Sequence, residues 1–119
     1  MISATPTEAQ KCAAFYQRYL TLRALKYFDN EAFVFHVANE RKCTLHYALQ
    51  LKRVGVVAGI YDYPIIAKGG KIAFLEFKRN AKCKLSPAQH DFRLLCASLG
   101  IKTHISWEVE DAIEFIKNI

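Results

Sequence analysis

The stretch Ile60-Tyr61-Asp62-Tyr63-Pro64-Ile65-Ile66-Ala67-Lys68-Gly69-Gly70-Lys71-Ile72-Ala73-Phe74-Leu75-Glu76-Phe77-Lys78 holds two runs rich in β-branched and aromatic residues, separated by a glycine pair. That pattern predicts a β-hairpin with strands over residues 60–67 and 71–78. In the second strand Ala73, Leu75 and Phe77 alternate with Ile72 and Phe74. Apolar side chains on both faces predict a strand covered on both sides, as in a sheet sandwiched by helices. Its end carries Glu76 and Lys78, which strand alternation places on one face, roughly 6.5 to 7 Å apart.

Whether Asp62 joins them depends on the turn. A two-residue loop of Gly69 and Gly70 sets Asp62 opposite Phe77, on the wrong face. A three-residue loop over 68–70, with Gly70 left-handed, pairs Ala67 with Lys71 and brings Asp62 opposite Glu76. Two carboxylates only partly offset by one lysine are costly to bury, and a bound Mg²⁺ or Mn²⁺ compensates them. Asp62, Glu76 and the backbone carbonyl of Phe77 are therefore candidate ligands of a hard cation that polarises a phosphate oxygen and activates water. Lys78 is then suited to orient or deprotonate that water and to offset charge developing on the phosphate. The plainer reading makes Asp62 and Glu76 exposed strand-end charges, one of them paired with Lys78. Two features oppose it: the carboxylates fall on two strands of one hairpin, and Glu-x-Lys closes a strand that is otherwise apolar.

Before the hairpin, Thr5-Pro6-Thr7-Glu8 reads as a capping box at the start of a helix reaching about Tyr27, with Thr5 as cap and Glu8 as its partner. Residues 33–38 predict a strand, 39–42 a polar turn, and 44–53 a helix ended by Gly55. After the hairpin, residues 79–85 form a basic loop. Ser86-Pro87-Ala88-Gln89 begins a third helix, which Gly100 ends. Residues 101–106 then supply a strand and 108–118 an amphipathic helix, through Val109, Ala112, Ile113 and Ile116. The expected order is α-β-α-β-β-α-β-α: one α/β domain over residues 1–119, with a mixed sheet flanked by helices.

Composition is compatible with that reading. A chain of 119 residues is long enough for one core. Its apolar stretches are far shorter than the roughly 18 to 20 residues that span a bilayer, and the start lacks the pattern of a secretory signal, so neither a membrane nor export is expected. Cys12, Cys43, Cys83 and Cys96 have no metal-ligand spacing and are expected as thiols. Seventeen Lys and Arg against eleven Asp and Glu give a formal charge of +6, which favours a polyanionic partner. Arg79, Lys82 and Lys84 follow the proposed site, Lys68 and Lys71 flank the hairpin turn, and Arg41 and Lys42 precede the second helix; all are candidates to track a DNA backbone. Trp107, Tyr61 and Tyr63 are suited to stack on bases or to fill the core.

Three motifs in order, Gly55-Val56-Val57-Ala58-Gly59-Ile60-Tyr61-Asp62, Phe74-Leu75-Glu76-Phe77-Lys78 and Lys84-Leu85-Ser86-Pro87-Ala88-Gln89, resemble a VRR-NUC domain, a branch of the PD-(D/E)xK nucleases with a restriction-endonuclease-like core. The resemblance implies metal ligation by Asp62 and Glu76, a catalytic role for Lys78, and supporting roles for Gln89 and Glu8. Both supporting residues have an alternative duty as capping-box partners. The family usually has Pro before the aspartate; here Tyr61 stands there and Pro64 follows Asp62, and a proline within a strand marks an edge or bulge. Stand-alone viral and bacterial members of the family suggest a cytoplasmic, Mg²⁺- or Mn²⁺-dependent homodimer that cuts branched DNA such as four-way (Holliday) junctions. For the dimer contact, the last helix, with Val109, Ile113 and Ile116, and the aromatic patch at Phe33 and Phe35 are equal candidates. The rival functions are a non-catalytic nucleic-acid-binding module and an interaction subunit that keep the nuclease fold.

Overall fold

A computed structural model of the chain describes residues 6–38 and 44–119. Thr5, Arg41, Lys42 and Cys43, and with them the whole turn expected at 39–42, lie outside the described residues. The elements are α1 (Glu8–Ala24), β1 (Phe33–Val34), α2 (Leu45–Arg53), β2 (Tyr63–Ala67), β3 (Lys71–Phe77), α3 (Pro87–Ser98), β4 (Lys102–Ser106) and α4 (Val109–Lys117). They form an α/β fold around one mixed sheet in the order β1-β2-β3-β4. β1, β2 and β3 are antiparallel, and β4 returns parallel to β3. Among the described residues no helix is long and apolar enough to cross a membrane.

The core lies on one face of the sheet. Ala73, Leu75 and Phe77 of β3 and Tyr63 and Ile65 of β2 are buried there, against Phe15, Tyr19 and Leu22 of α1 and Ile113 and Ile116 of α4. The opposite face is not fully covered, contrary to the expectation from the apolar alternation. α3 shields one part of it, where Phe92 packs edge-on against Phe74 at 4.9 Å. The cross-strand row Phe33, Ile66 and Ile72 remains 45%, 50% and 48% exposed. α2 buries none of its residues.

The ends of the elements explain the other departures. α1 is capped by Thr7, whose hydroxyl accepts from Gln10 N–H while the Gln10 side chain accepts from Thr7 N–H. The capping box is thus Thr7 with Gln10, and Glu8 stands at the first helical position instead of serving as cap partner. α1 stops at Ala24, short of Tyr27, because Lys26 adopts φ +58°. The N–H groups of Lys26 and Tyr27 then donate to the carbonyls of Arg23 and Leu22, a Schellman ending with lysine where glycine is usual. β1 has only two residues because of Pro64. Phe35 N–H donates to Pro64 O, but proline has no N–H to return, so residues 35–38 follow β2 without a complete ladder.

Gly59 fixes how α3 meets the hairpin. It has φ +86°, and a Cβ there would overlap the Ala88 carbonyl and press on Gln89 N in the first turn of α3. Gly59→Ala is therefore expected to destabilise the protein by about 2–4 kcal/mol, combining left-handed strain with overpacking. Gly69→Ala, left-handed but in open space, should cost about 1 kcal/mol. Urea unfolding of the two variants checks this, and equal losses would contradict the close approach.

Candidate active site

The observed hairpin register pairs Ala67 with Lys71 and continues to Tyr63 with Leu75. One step further back, Asp62 meets Glu76, as the three-residue loop requires. The chain bends at Asp62, and its N–H donates to Glu76 Oε1 at 3.0 Å. One Asp62 carboxylate oxygen also accepts a long bond, 3.4 Å, from Phe77 N–H. Within a strand the N–H and C=O of a residue point the same way, so the Phe77 carbonyl is directed to the Asp62 side.

Glu8 enters from the start of α1. One carboxylate oxygen each from Glu8, Asp62 and Glu76 lie within 4.8 Å of one another. Thr7 and Gln10 complete the cap, and Glu8, at the first helical position, faces this cluster. The donor set is all oxygen and all anionic, which suits a hard divalent cation such as Mg²⁺ or Mn²⁺.

On the other side of Glu76, Lys78 Nζ lies 3.5 Å from Glu76 Oε2 and donates to Gln89 Oε1 at 3.0 Å. Gln89 Nε2 donates to Glu76 Oε2 at 3.0 Å, while Gln89 Oε1 also accepts from Ser86 N–H at 2.9 Å. The amide therefore closes the helix cap and bridges the lysine to the glutamate at once. The capping duty weighed for Gln89 in the sequence is met, and the same side chain contacts Glu76 and Lys78.

The basic residues divide. Arg79, Lys82 and Lys84 lie exposed on the loop that leaves Lys78. Lys68 and Lys71 sit at the hairpin turn, and Lys71 is roughly 17 Å along β3 from Glu76. Tyr61 and Tyr63, considered above for base stacking, are buried, whereas Trp107 is half exposed. Sequence reasoning passed over Lys11, whose Nζ donates to Arg79 O at 2.9 Å and Trp107 O at 2.6 Å and so ties the basic loop to α1. The available signal was its place on α1 one turn after Glu8.

Only 3% of Glu76 is exposed. Burial, and next the neighbouring Asp62 charge, push its carboxyl up from 4.5 to about 7, against the opposing pull of Asp62 N–H and Lys78. Between pH 4.5 and 7 the folded protein thus holds a proton that the unfolded chain has released. Glu76 therefore contributes its stability below pH 4.5 and loses it as pH rises to about 7. In EDTA, the urea midpoint of the wild type should fall more between pH 5 and pH 8 than that of Glu76→Gln; parallel profiles would contradict the burial of this carboxyl.

No family model matches the chain, and no curated protein does. Among solved structures, one described as "VRR_NUC domain protein" is similar with a TM-score of 0.57 and 25% identity, over 71% of this chain and 64% of that one. A second, described as "VRR_NUC domain", has a TM-score of 0.52 and 16% identity over 87% of this chain and 95% of that one, a likeness of fold alone. The chain thus spans under two-thirds of the first structure's length. The mixed sheet flanked by helices is a fold shared with both structures, and the first likeness supports a VRR-NUC domain, a nuclease-type fold.

Proposed function

We propose that residues 1–119 form one nuclease domain that hydrolyses DNA phosphodiester bonds with a divalent metal, in the cytoplasm of a bacterium or of a phage-infected host. The observation that carries this reading is the convergence of Glu8, Asp62 and Glu76 beside a lysine held in place by Gln89. Asp62, Glu76 and the Phe77 carbonyl would hold Mg²⁺ or Mn²⁺, with Glu8 in support. Bound there, the cation supplies Lewis acidity toward a phosphate oxygen and toward water.

The chain's own groups do the rest. Gln89 fixes Lys78 Nζ at the edge of the cluster, where its N–H groups donate to a phosphate oxygen and offset the charge that builds there. Glu76 is kept from solvent, so its interactions with ligands are weakly screened. Arg79, Lys82 and Lys84 bind the backbone beyond the cut without reading sequence, with Lys68 and Lys71 at the hairpin turn as more distant contacts and Arg41 and Lys42 as further candidates.

The preferred substrate is branched DNA such as a four-way junction, cut by a homodimer whose two-fold axis relates two sites. Ile113 and Ile116 of α4 belong to the monomer's own core, which leaves the row Phe33, Ile66 and Ile72 as the dimer contact. Ile66→Lys changes an exposed residue and should convert a sedimenting dimer to monomer without lowering stability. A wild-type monomer at micromolar concentration would defeat the dimer.

For catalysis, Glu76→Ala and Lys78→Ala are each expected to lower Mg²⁺-dependent cleavage of labelled duplex, flap and four-way DNA by at least about 100-fold. Circular dichroism should show both variants folded. Asp62→Asn should weaken Mn²⁺ binding as well as cleavage, and EDTA should stop the wild type. Full activity in either alanine variant, or in EDTA, would overturn the assignment.

A further inference from the structure

A cleft of about 700 Å³ runs between α1 and residues 36–38, and Glu8 and Asp62 form part of its lining. Its helix wall is lowered by Ala9 and Ala13, and its opposite side carries His36. The His36 ring rests against Tyr63, with centroids 5.0 Å apart at 51°, yet the residue is exposed. A volume of this size lies in the range that encloses a small organic ligand.

The charges limit what that ligand is. Among the described residues the cleft is lined by Glu8 and Asp62 and by no lysine or arginine, so the charges there disfavour a second phosphate. The basic side chains near the cluster stand instead on the loop beyond Lys78. A strand whose phosphate lies at the carboxylates would therefore put its sugar and base, its neutral parts, into the cleft. A paired base would drag the complementary strand and its phosphates in as well. An unpaired base would not, and His36, braced by Tyr63, offers it a stacking surface.

We infer that this cleft binds one unpaired nucleoside next to the scissile phosphate, so that the site selects DNA with an unstacked base at the cut. This specificity rests on the nuclease reading above for its position along the strand. Ala9 and Ala13 give the ring room, Tyr63 holds His36, and His36 stacks on the base.

The test uses a duplex carrying a single bulged 2-aminopurine and a matched duplex in which the same base is paired, with Ca²⁺ in place of Mg²⁺. Wild-type protein should change the emission of the bulged base and bind that duplex more tightly than the paired one. Ala13→Leu fills the cleft from an exposed position, and His36→Ala removes the stacking ring. Each should weaken binding of the bulged duplex roughly 5- to 100-fold, with little effect on the paired duplex or on Mn²⁺ affinity by calorimetry. Equal wild-type affinity for the two duplexes, or variants that bind the bulge like wild type, would overturn the inference. If the wild type discriminates in this way but cuts neither duplex in Mg²⁺, the cleft stands and the nuclease reading falls.

Discussion

Glu76 places a carboxyl group with 3% exposure between two other carboxylates and beside a lysine, at the point where α1, the hairpin and α3 converge. An ionised group so buried is costly unless charge or hydrogen bonds compensate it. Here Asp62 N–H and Gln89 Nε2 each donate to one of its oxygens, and Lys78 supplies one positive charge at 3.5 Å. Glu8 and Asp62 keep the local balance negative. The rest of the arrangement follows from holding this unbalanced group in place: the hairpin must keep its register, α3 must start beside it, and α1 must begin without using Glu8 in its cap.

Each requirement has a local cause. The loop over 68–70 sets Asp62 against Glu76, and a shift of one residue would send the aspartate to the other face. Gly59, in the turn before β2, lets the chain touch the backbone of Ala88, which brings the capping glutamine of α3 within reach of both Glu76 and Lys78. The same amide that ends one set of unpaired backbone groups also orients the lysine, so loss of the cap and loss of the lysine's position are physically linked. The core face of the sheet, packed by α1 and α4, holds these pieces rigid, while the cluster opens at the end of the strands away from the hairpin turn.

Much of this was legible in the chain. Element order, the Ser86 cap and the helix ends at Gly55 and Gly100 follow from turn chemistry, which depends on neighbours in sequence, whereas strand parity narrows the hairpin register to two and the structure decides it. What was not legible depends on neighbours in space. Nothing local marks Lys26 as the residue that ends α1, since lysine is not a usual left-handed residue. Thr5 and Thr7 are both acceptable caps by sequence, and the structure has Thr7 with Gln10, which puts Glu8 at the first helical position. The short β1 follows from a missing donor on its partner, Pro64, which was noted as a mark of irregularity but not as its cause in another strand. Coverage of the sheet was overestimated because apolar alternation cannot distinguish a face under a helix from one left open, as Ile66 and Ile72 are.

Anomalous diffraction from crystals grown with Mn²⁺ tests the role of the carboxylate cluster most directly. One strong peak bonded to carboxylate oxygens of Asp62 and Glu76, with Lys78 Nζ outside the coordination shell, is the expected result. Saturating Mn²⁺ with no peak at this cluster, or with ions only at surface carboxylates such as Glu108 or Glu110, would contradict a metal-dependent site here.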